Sequence, residues 1–138
     1  MQIKLTKTEW GTLNNALEYF DIFCYHELPE EDSDLTQDDM TIDNINCELQ
    51  DIYDELCETN ILDMSIADMR NSIIALFVYK EIVSKDIPTS KGRLDKYQKD
   101  LALRNIEALT NNFYVTLTEL GETDPIQTYE IDPNSCYI

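Results

Sequence analysis

The chain has 138 residues and a formal net charge of −18, from 28 acidic and 10 basic side chains, and 43% of its residues are hydrophobic. This hydrophobic content is ordinary for a globular protein, so we predict a single domain, residues 1–138, with a real core. The negative charge argues against direct binding to nucleic acid or to an anionic membrane, because both require Lys and Arg. It favours a basic protein partner, since long-range attraction speeds such an encounter.

The cysteines and the single histidine lack the spacing of a zinc site. The four cysteines contain no C-x-x-C pair and are Cys24, Cys47, Cys57 and Cys136. We therefore expect neither zinc nor a disulfide scaffold. The first residues, "MQIKLTKTEW", lack the apolar centre of a signal peptide, and no apolar run reaches membrane-spanning length. These observations predict a cytoplasmic protein with reduced thiols.

In chain order, the pattern first predicts a short strand and two helices. "QIKLT" alternates and indicates a strand, and Thr6 then opens "TKTE", a capping box with Glu9, which predicts a helix that runs to about Tyr25. A second helix is predicted to be capped by Asp39 or Thr41. Its apolar positions are spaced by 3, 4, 3 and 4 residues and are Ile42, Ile45, Leu49, Ile52 and Leu56. This period predicts a seam that packs in a helical bundle.

Two further helices and a hairpin complete the predicted fold. Ser65 can cap a third helix, in which the apolar run Ile73–Tyr79 favours a buried helix over a buried strand. Ser90 or Lys91 starts a fourth helix. "FYVTLTEL" and "IQTYEI" then alternate on either side of the turn residues "GETDP", which predicts an antiparallel C-terminal hairpin that the N-terminal strand can join. The predicted fold class is α+β, mostly α, with about four helices in a bundle and a small C-terminal hairpin.

Charge is segregated along the chain. Residues 8–69 contain 18 acidic residues and no basic one, and residues 70–104 contain eight basic and four acidic residues. Residues 105–138 contain six acidic residues and no basic one. We therefore divide the domain into an acidic helical part (8–69), a basic helical part (70–104) and a hairpin with tail (110–138). Such asymmetry is typical of an interaction surface.

A calcium loop is one interpretation of "DSDLTQDDMTID" between the first two helices. In an EF-hand its ligand positions would be Asp32, Asp34, Thr36, Asp38 and Asp43. The pattern fails at Gln37, where a sharp turn requires Gly, and at Asp43, where the longer Glu is needed. We therefore expect an acidic loop without a metal site.

No combination of residues predicts catalysis. His26 lies beside Glu27, an arrangement that a general base can use, but a solvated histidine at the end of a helix explains it better. Cys24 and Cys57 lie in acidic stretches, which disfavour a thiolate nucleophile. The chain has three glycines and no phosphate-binding or nucleophile-elbow motif. We predict that it is not an enzyme and has no cofactor.

The carboxylates of the second helix oppose its apolar seam, at 100° per residue. Glu48, Asp51, Glu55 and Glu58 form a row with a rise of about 5 Å per step. Duplex DNA presents a comparable array, one negative charge per about 1.7 Å. An ordinary solvated face would mix charges of both signs, and this one has no base. The predicted partner-binding residues are Glu30, Glu31, Asp32, Asp34, Asp38, Asp39, Glu48, Asp51, Asp54, Glu55 and Glu58.

With "PEEDSDLTQDD" and "CELQDIYDELCE", the chain resembles the acidic DNA-mimic inhibitors of phages and mobile elements, including anti-restriction and anti-CRISPR proteins. The resemblance covers about residues 27–63 and rests on composition and charge pattern. It implies a non-enzymatic inhibitor that blocks the basic surface of a nuclease or effector complex, in the host cytoplasm if phage-encoded. An immunity or antitoxin protein that neutralises a basic nuclease toxin is the alternative. The basic residues 70–104 depart from the pattern and leave room for another target or for a dimer.

Overall fold

The structure, a computed structural model, describes residues 1–26, 37–87, 89 and 91–128, and for Tyr25, His26 and residues 37–43 it describes the backbone alone. Within these ranges the element order is β1 (Gln2–Lys4), α1 (Lys7–His26), α2 (Gln37–Leu56), β2 (Ile61–Asp63), α3 (Ile66–Ser84) and α4 (Lys96–Glu119). The protein is mostly helical, with a small two-stranded antiparallel sheet.

Helix α3 is the centre of the hydrophobic core and packs against α1, α2 and α4. Its run Ile73–Tyr79 lies in a buried helix, as predicted, because apolar side chains on several sides of α3 find a neighbouring helix to pack on. None of the helices in the described ranges combines the length and apolar character that crossing a lipid bilayer demands.

The predicted starts of α1 and α3 are confirmed by their capping boxes. The backbone N–H of Glu9 donates to Thr6 Oγ1 (3.1 Å), and the backbone N–H of Thr6 donates to Glu9 Oε1 (3.0 Å). Ser65 and Asp68 make the same reciprocal pair at the start of α3, at 3.0 and 2.9 Å. These bonds satisfy N–H groups that have no partner within the helix.

The predicted starts of α2 and α4 are wrong. Helix α2 begins at Gln37, ahead of the predicted caps Asp39 and Thr41. Helix α4 is capped by Asp95, whose side chain accepts from the backbone N–H of Gln98 at 2.8 Å, and not by Ser90 or Lys91. The seam of α2 is confirmed where its side chains are described: Ile45, Leu49, Ile52 and Leu56 are buried.

The predicted C-terminal hairpin is wrong, because the first of its two segments is the end of α4. Phe113 and Leu117, four residues apart, are each 2% exposed, whereas Val115 between them is 56% exposed. Helical spacing therefore decides which residues are buried, and the alternation of "FYVTLTEL" is coincidental. Residues 122–128 form no strand, and the part of "IQTYEI" from residue 129 on lies outside the described residues.

The N-terminal strand β1 pairs with β2 in the middle of the chain. The register joins Gln2 to Asp63, Ile3 to Leu62 and Lys4 to Ile61. One residue beyond β1, the buried Leu5 donates its backbone N–H to the carbonyl of Asn60 at 2.8 Å. The sheet thereby fixes the start of α1 beside the end of α2, where the acidic surface lies.

Candidate partner-binding surface

Five of the predicted binding residues come together on the outer side of α2 and in the turn that follows it. We call them the α2 acidic face: Glu48, Asp51, Asp54, Glu55 and Glu58. All are exposed except Glu55, which is half-buried. The structure places them opposite the buried seam of α2, as their spacing predicts.

The other six predicted binding residues lie wholly or partly outside what the structure describes. Glu30, Glu31, Asp32 and Asp34 lie outside the described residues. The backbones of Asp38 and Asp39 lie in the first turn of α2, and their side chains are not described.

Two residues of the α2 acidic face also hold α2 in place. The Glu48 carboxylate accepts a hydrogen bond from the side-chain amide of Asn71 in α3. Glu55 Oε1 accepts one from the backbone N–H of Asp63 in β2 at 3.0 Å. These two carboxylates have structural roles that the α2 sequence pattern does not reveal, because their partners come from other elements.

Within the described residues, no cationic group forms an ion pair with the remaining three carboxylates, Asp51, Asp54 and Glu58. Within the described residues, the ion pairs join Asp63, Glu81, Glu18 and Asp86 to cationic groups, and none of them involves the α2 acidic face. The last turn of α2 contains no basic residue. The helix dipole places partial negative charge at this end, so it reinforces the charge of Glu58 in the following turn.

A polar groove of about 320 Å³ lies between α1 and α2 and adds two carboxylates that the sequence analysis missed. Asp21 Oδ1 accepts from the side-chain amides of Asn46 at 3.1 Å and Gln50 at 3.4 Å. Glu18 accepts from the hydroxyl of Tyr53 at 3.5 Å, and its negative charge raises the pKa of Tyr53. One feature of the sequence indicates that both carboxylates contribute to the acidic surface: residues 8–69 contain no basic residue that could neutralise them.

Lys91 neutralises one of these two groups. Its ammonium forms an ion pair with Glu18 and lies 5.6 Å from the centroid of the Tyr19 ring, in cation–π geometry. Asp21, in contrast, accepts its hydrogen bonds from the neutral amides of Asn46 and Gln50. The negative charge of the groove therefore remains at Asp21, on the side that adjoins α2.

The backbone of α2 disagrees with an EF-hand loop. Gln37 occupies the sixth position of the candidate loop, where the chain must turn sharply, yet it is the first residue of a continuous helix. Among the described residues, no three His, Cys, Asp or Glu side chains are grouped as a metal site requires. Of the cysteines considered as nucleophiles, Cys24 is buried in the core and Cys57 is exposed in the turn after α2. The side chain of His26 is not described.

Comparisons with protein-family models, with curated proteins and with solved structures gave no match to this chain. A functional proposal therefore rests on the geometry and charge of the α2 acidic face and of the groove beside it.

Proposed function

We propose that the protein is a non-enzymatic inhibitor that binds, through its α2 acidic face, the basic surface with which a partner protein grips nucleic acid. The partner class is a nuclease or a nucleic-acid-binding effector complex, and the biological role is phage anti-defence of the anti-restriction or anti-CRISPR type, in the host cytoplasm. The observation that supports this proposal is the group of exposed carboxylates Asp51, Asp54 and Glu58 without a cation beside them in the described part of the chain.

A surface that binds phosphates carries Lys and Arg whose charges repel one another until an anion neutralises them. Asp51 and Asp54, about 4.5 Å apart along the axis of α2, and Glu58 in the turn that follows offer such anions. Because the backbone of α2 is already ordered, little backbone freedom is lost when the partner binds.

The position of α2 is fixed by contacts on its other sides. Its apolar seam is buried, and the indole N–H of Trp10 in α1 donates to the carbonyl of Leu56 at 2.9 Å. The hydrogen bonds of Glu48 and Glu55 add anchors to α3 and β2. The acidic face is therefore pre-organised, which supports a rigid mimic of a phosphate array.

Affinity capture from a host lysate tests the proposal. The immobilised protein binds partners at 0.1 M salt, where the Debye length is about 10 Å, and is eluted at 1 M, where it is about 3 Å. We expect nucleic-acid-handling proteins with basic surfaces in the eluate. The variant D51N/D54N/E58Q should not capture them.

The control variant D100N/E107Q/D124N removes three exposed carboxylates on or after α4 and changes the net charge by the same amount. We expect it to capture the same proteins as the wild type. Equal capture by the α2 variant would overturn the proposal. Capture of a toxin encoded beside this protein's gene would assign the immunity function instead.

A further inference from the structure

Helix α4 carries a large share of the exposed apolar side chains. Eight large hydrophobic side chains are exposed in the described residues, and five of them lie on α4 or at its C-cap. The five are Tyr97, Leu101, Tyr114, Val115 and Leu120. Single exposed apolar residues need no explanation, but a concentration on one helix indicates a contact surface.

Three of these side chains share one outward face. At 100° per residue, Tyr97, Leu101, Ala108 and Val115 fall within about 40° of one another. We call these four residues the α4 outer stripe. The core side of the same helix is separate and already buried, through Ile106, Leu109, Phe113 and Leu117. Helix α4 therefore has, opposite its core side, a second face with exposed apolar side chains, interrupted by Arg104 and Asn111, which the described part of the chain leaves uncovered.

The charges around the stripe change sign along α4. Residues 93–104, which lead into α4 and form its first part, carry four basic and two acidic side chains. Residues 105–124 carry four acidic side chains and no basic one. A second copy of α4 in antiparallel orientation would bring each basic end to an acidic end, whereas a parallel copy would bring like charges together.

An antiparallel pair also brings apolar positions of the two copies together. When Tyr97 of one copy faces Val115 of the other, Arg104 faces the small side chain of Ala108 and Leu101 faces Asn111. Alanine near the crossing point lets two helices approach closely, as in a helical seam. Two residues of the stripe, Tyr97 and Leu101, lie in residues 70–104, the segment with more basic than acidic residues, so two acidic chains repel each other less there than at their α2 acidic faces.

We infer that the α4 outer stripe is a self-association surface, at which two copies of this chain pair through antiparallel α4 helices. Among the described elements α2 makes no contact with α4, so this pairing leaves both α2 acidic faces uncovered. The dimer would present two acidic faces to partners, and this bivalence is independent of which partner they bind.

Sedimentation velocity of the full-length chain over a wide concentration range tests the inference. We expect the wild type to reach twice the 16.1 kDa mass of the chain. The variant L101E/V115E should keep the monomer mass with an unchanged helical circular dichroism spectrum. The control I61E/I66E introduces the same charges at exposed apolar positions away from α4 and should still dimerise.

Charge exchange tests the antiparallel orientation. K96E alone and E119R alone should each weaken the dimer, and K96E/E119R should restore it, because opposite charges again meet at each end of the antiparallel pair. A wild type that is monomeric at every concentration, or a dimer that L101E/V115E leaves intact, would overturn the inference. A monomer that loses thermal stability in L101E/V115E would show instead that another segment of the same chain covers the stripe, and would also overturn it.

Discussion

The ring of Tyr19 in α1 stacks on the ring of Tyr79 in α3, with centroids 4.8 Å apart and planes inclined by 14°. Both residues are buried, and burial raises the pKa of both phenols. The nearby charge of Lys91 and a hydrogen bond with Thr89 oppose this rise at Tyr19. A hydrogen bond with Asn15 opposes it at Tyr79.

This stack predicts a loss of stability in alkali. An unfolded tyrosine has a pKa near 10.0, below that of the buried phenols. As the pH rises above 10, the unfolded state releases its protons first, so the free energy of unfolding falls. Urea denaturation on either side of pH 10 should show this fall. It should be smaller in Y79F and unchanged in Y97F, since Tyr97 is 76% exposed. An equal fall in Y79F would contradict a contribution of the buried Tyr79 phenol to this loss of stability.

Neutralising the unpaired carboxylates of α2 should not destabilise the protein. D51N/D54N/E58Q removes three repulsive pairs at helical spacing within α2, each worth about 0.2–0.5 kcal/mol, and the charge of Glu58 in the turn that follows. The three pairs are Glu48–Asp51, Asp51–Asp54 and Asp51–Glu55. We expect a melting temperature equal to or above that of the wild type, a pattern typical of residues retained for binding. A clear decrease would indicate that these side chains make stabilising contacts.

Glu55 should behave differently from those three residues. E55A removes the acceptor for the backbone N–H of Asp63 and should cost about 0.5–1.5 kcal/mol. E55Q keeps an acceptor oxygen at the same position, so its free energy of unfolding should stay near that of the wild type. Urea denaturation of both variants distinguishes the hydrogen bond from the charge, and equal losses would contradict the role of this bond.

The end of α4 offers a direct comparison of helix with strand. L117A should cost about 2–5 kcal/mol, because Leu117 is buried, whereas V115A should cost well under that, because Val115 is exposed. In an alternating strand the two side chains would share a face, and both substitutions would be costly. Thermal denaturation of the two variants measures the difference, and similar losses would favour a strand.

Much of the helical core follows from local sequence, because capping and amphipathic spacing act within a few residues. Thr6–Glu9 and Ser65–Asp68 are recognisable as capping boxes, and the seam of α2 identifies its buried side. The same spacing also identifies the outward side of α2, where the α2 acidic face lies.

The errors arise where local patterns are ambiguous or where the partner is distant. Phe113 and Leu117 fit both an alternating strand and a helix, and only packing on the core selects the helix. The partners of Glu48 and Glu55 lie on α3 and β2, so the sequence of α2 alone does not identify them. The pairing of β1 with β2 is equally non-local.

That pairing has a consequence for the order of folding. Joining Gln2 to Asp63 closes a loop of about 60 residues, at an entropic cost on the order of 4 kcal/mol, and two three-residue strands supply few hydrogen bonds to offset it. We therefore expect the strands to meet after the transition state, once α1 and α2 have packed together. L62A removes a buried side chain worth about 2–5 kcal/mol, so it should speed unfolding by about 30-fold or more while leaving the refolding rate nearly unchanged, as the two arms of a chevron plot would show. The small sheet would thus act mainly on the lifetime of the folded protein and little on the speed with which it forms.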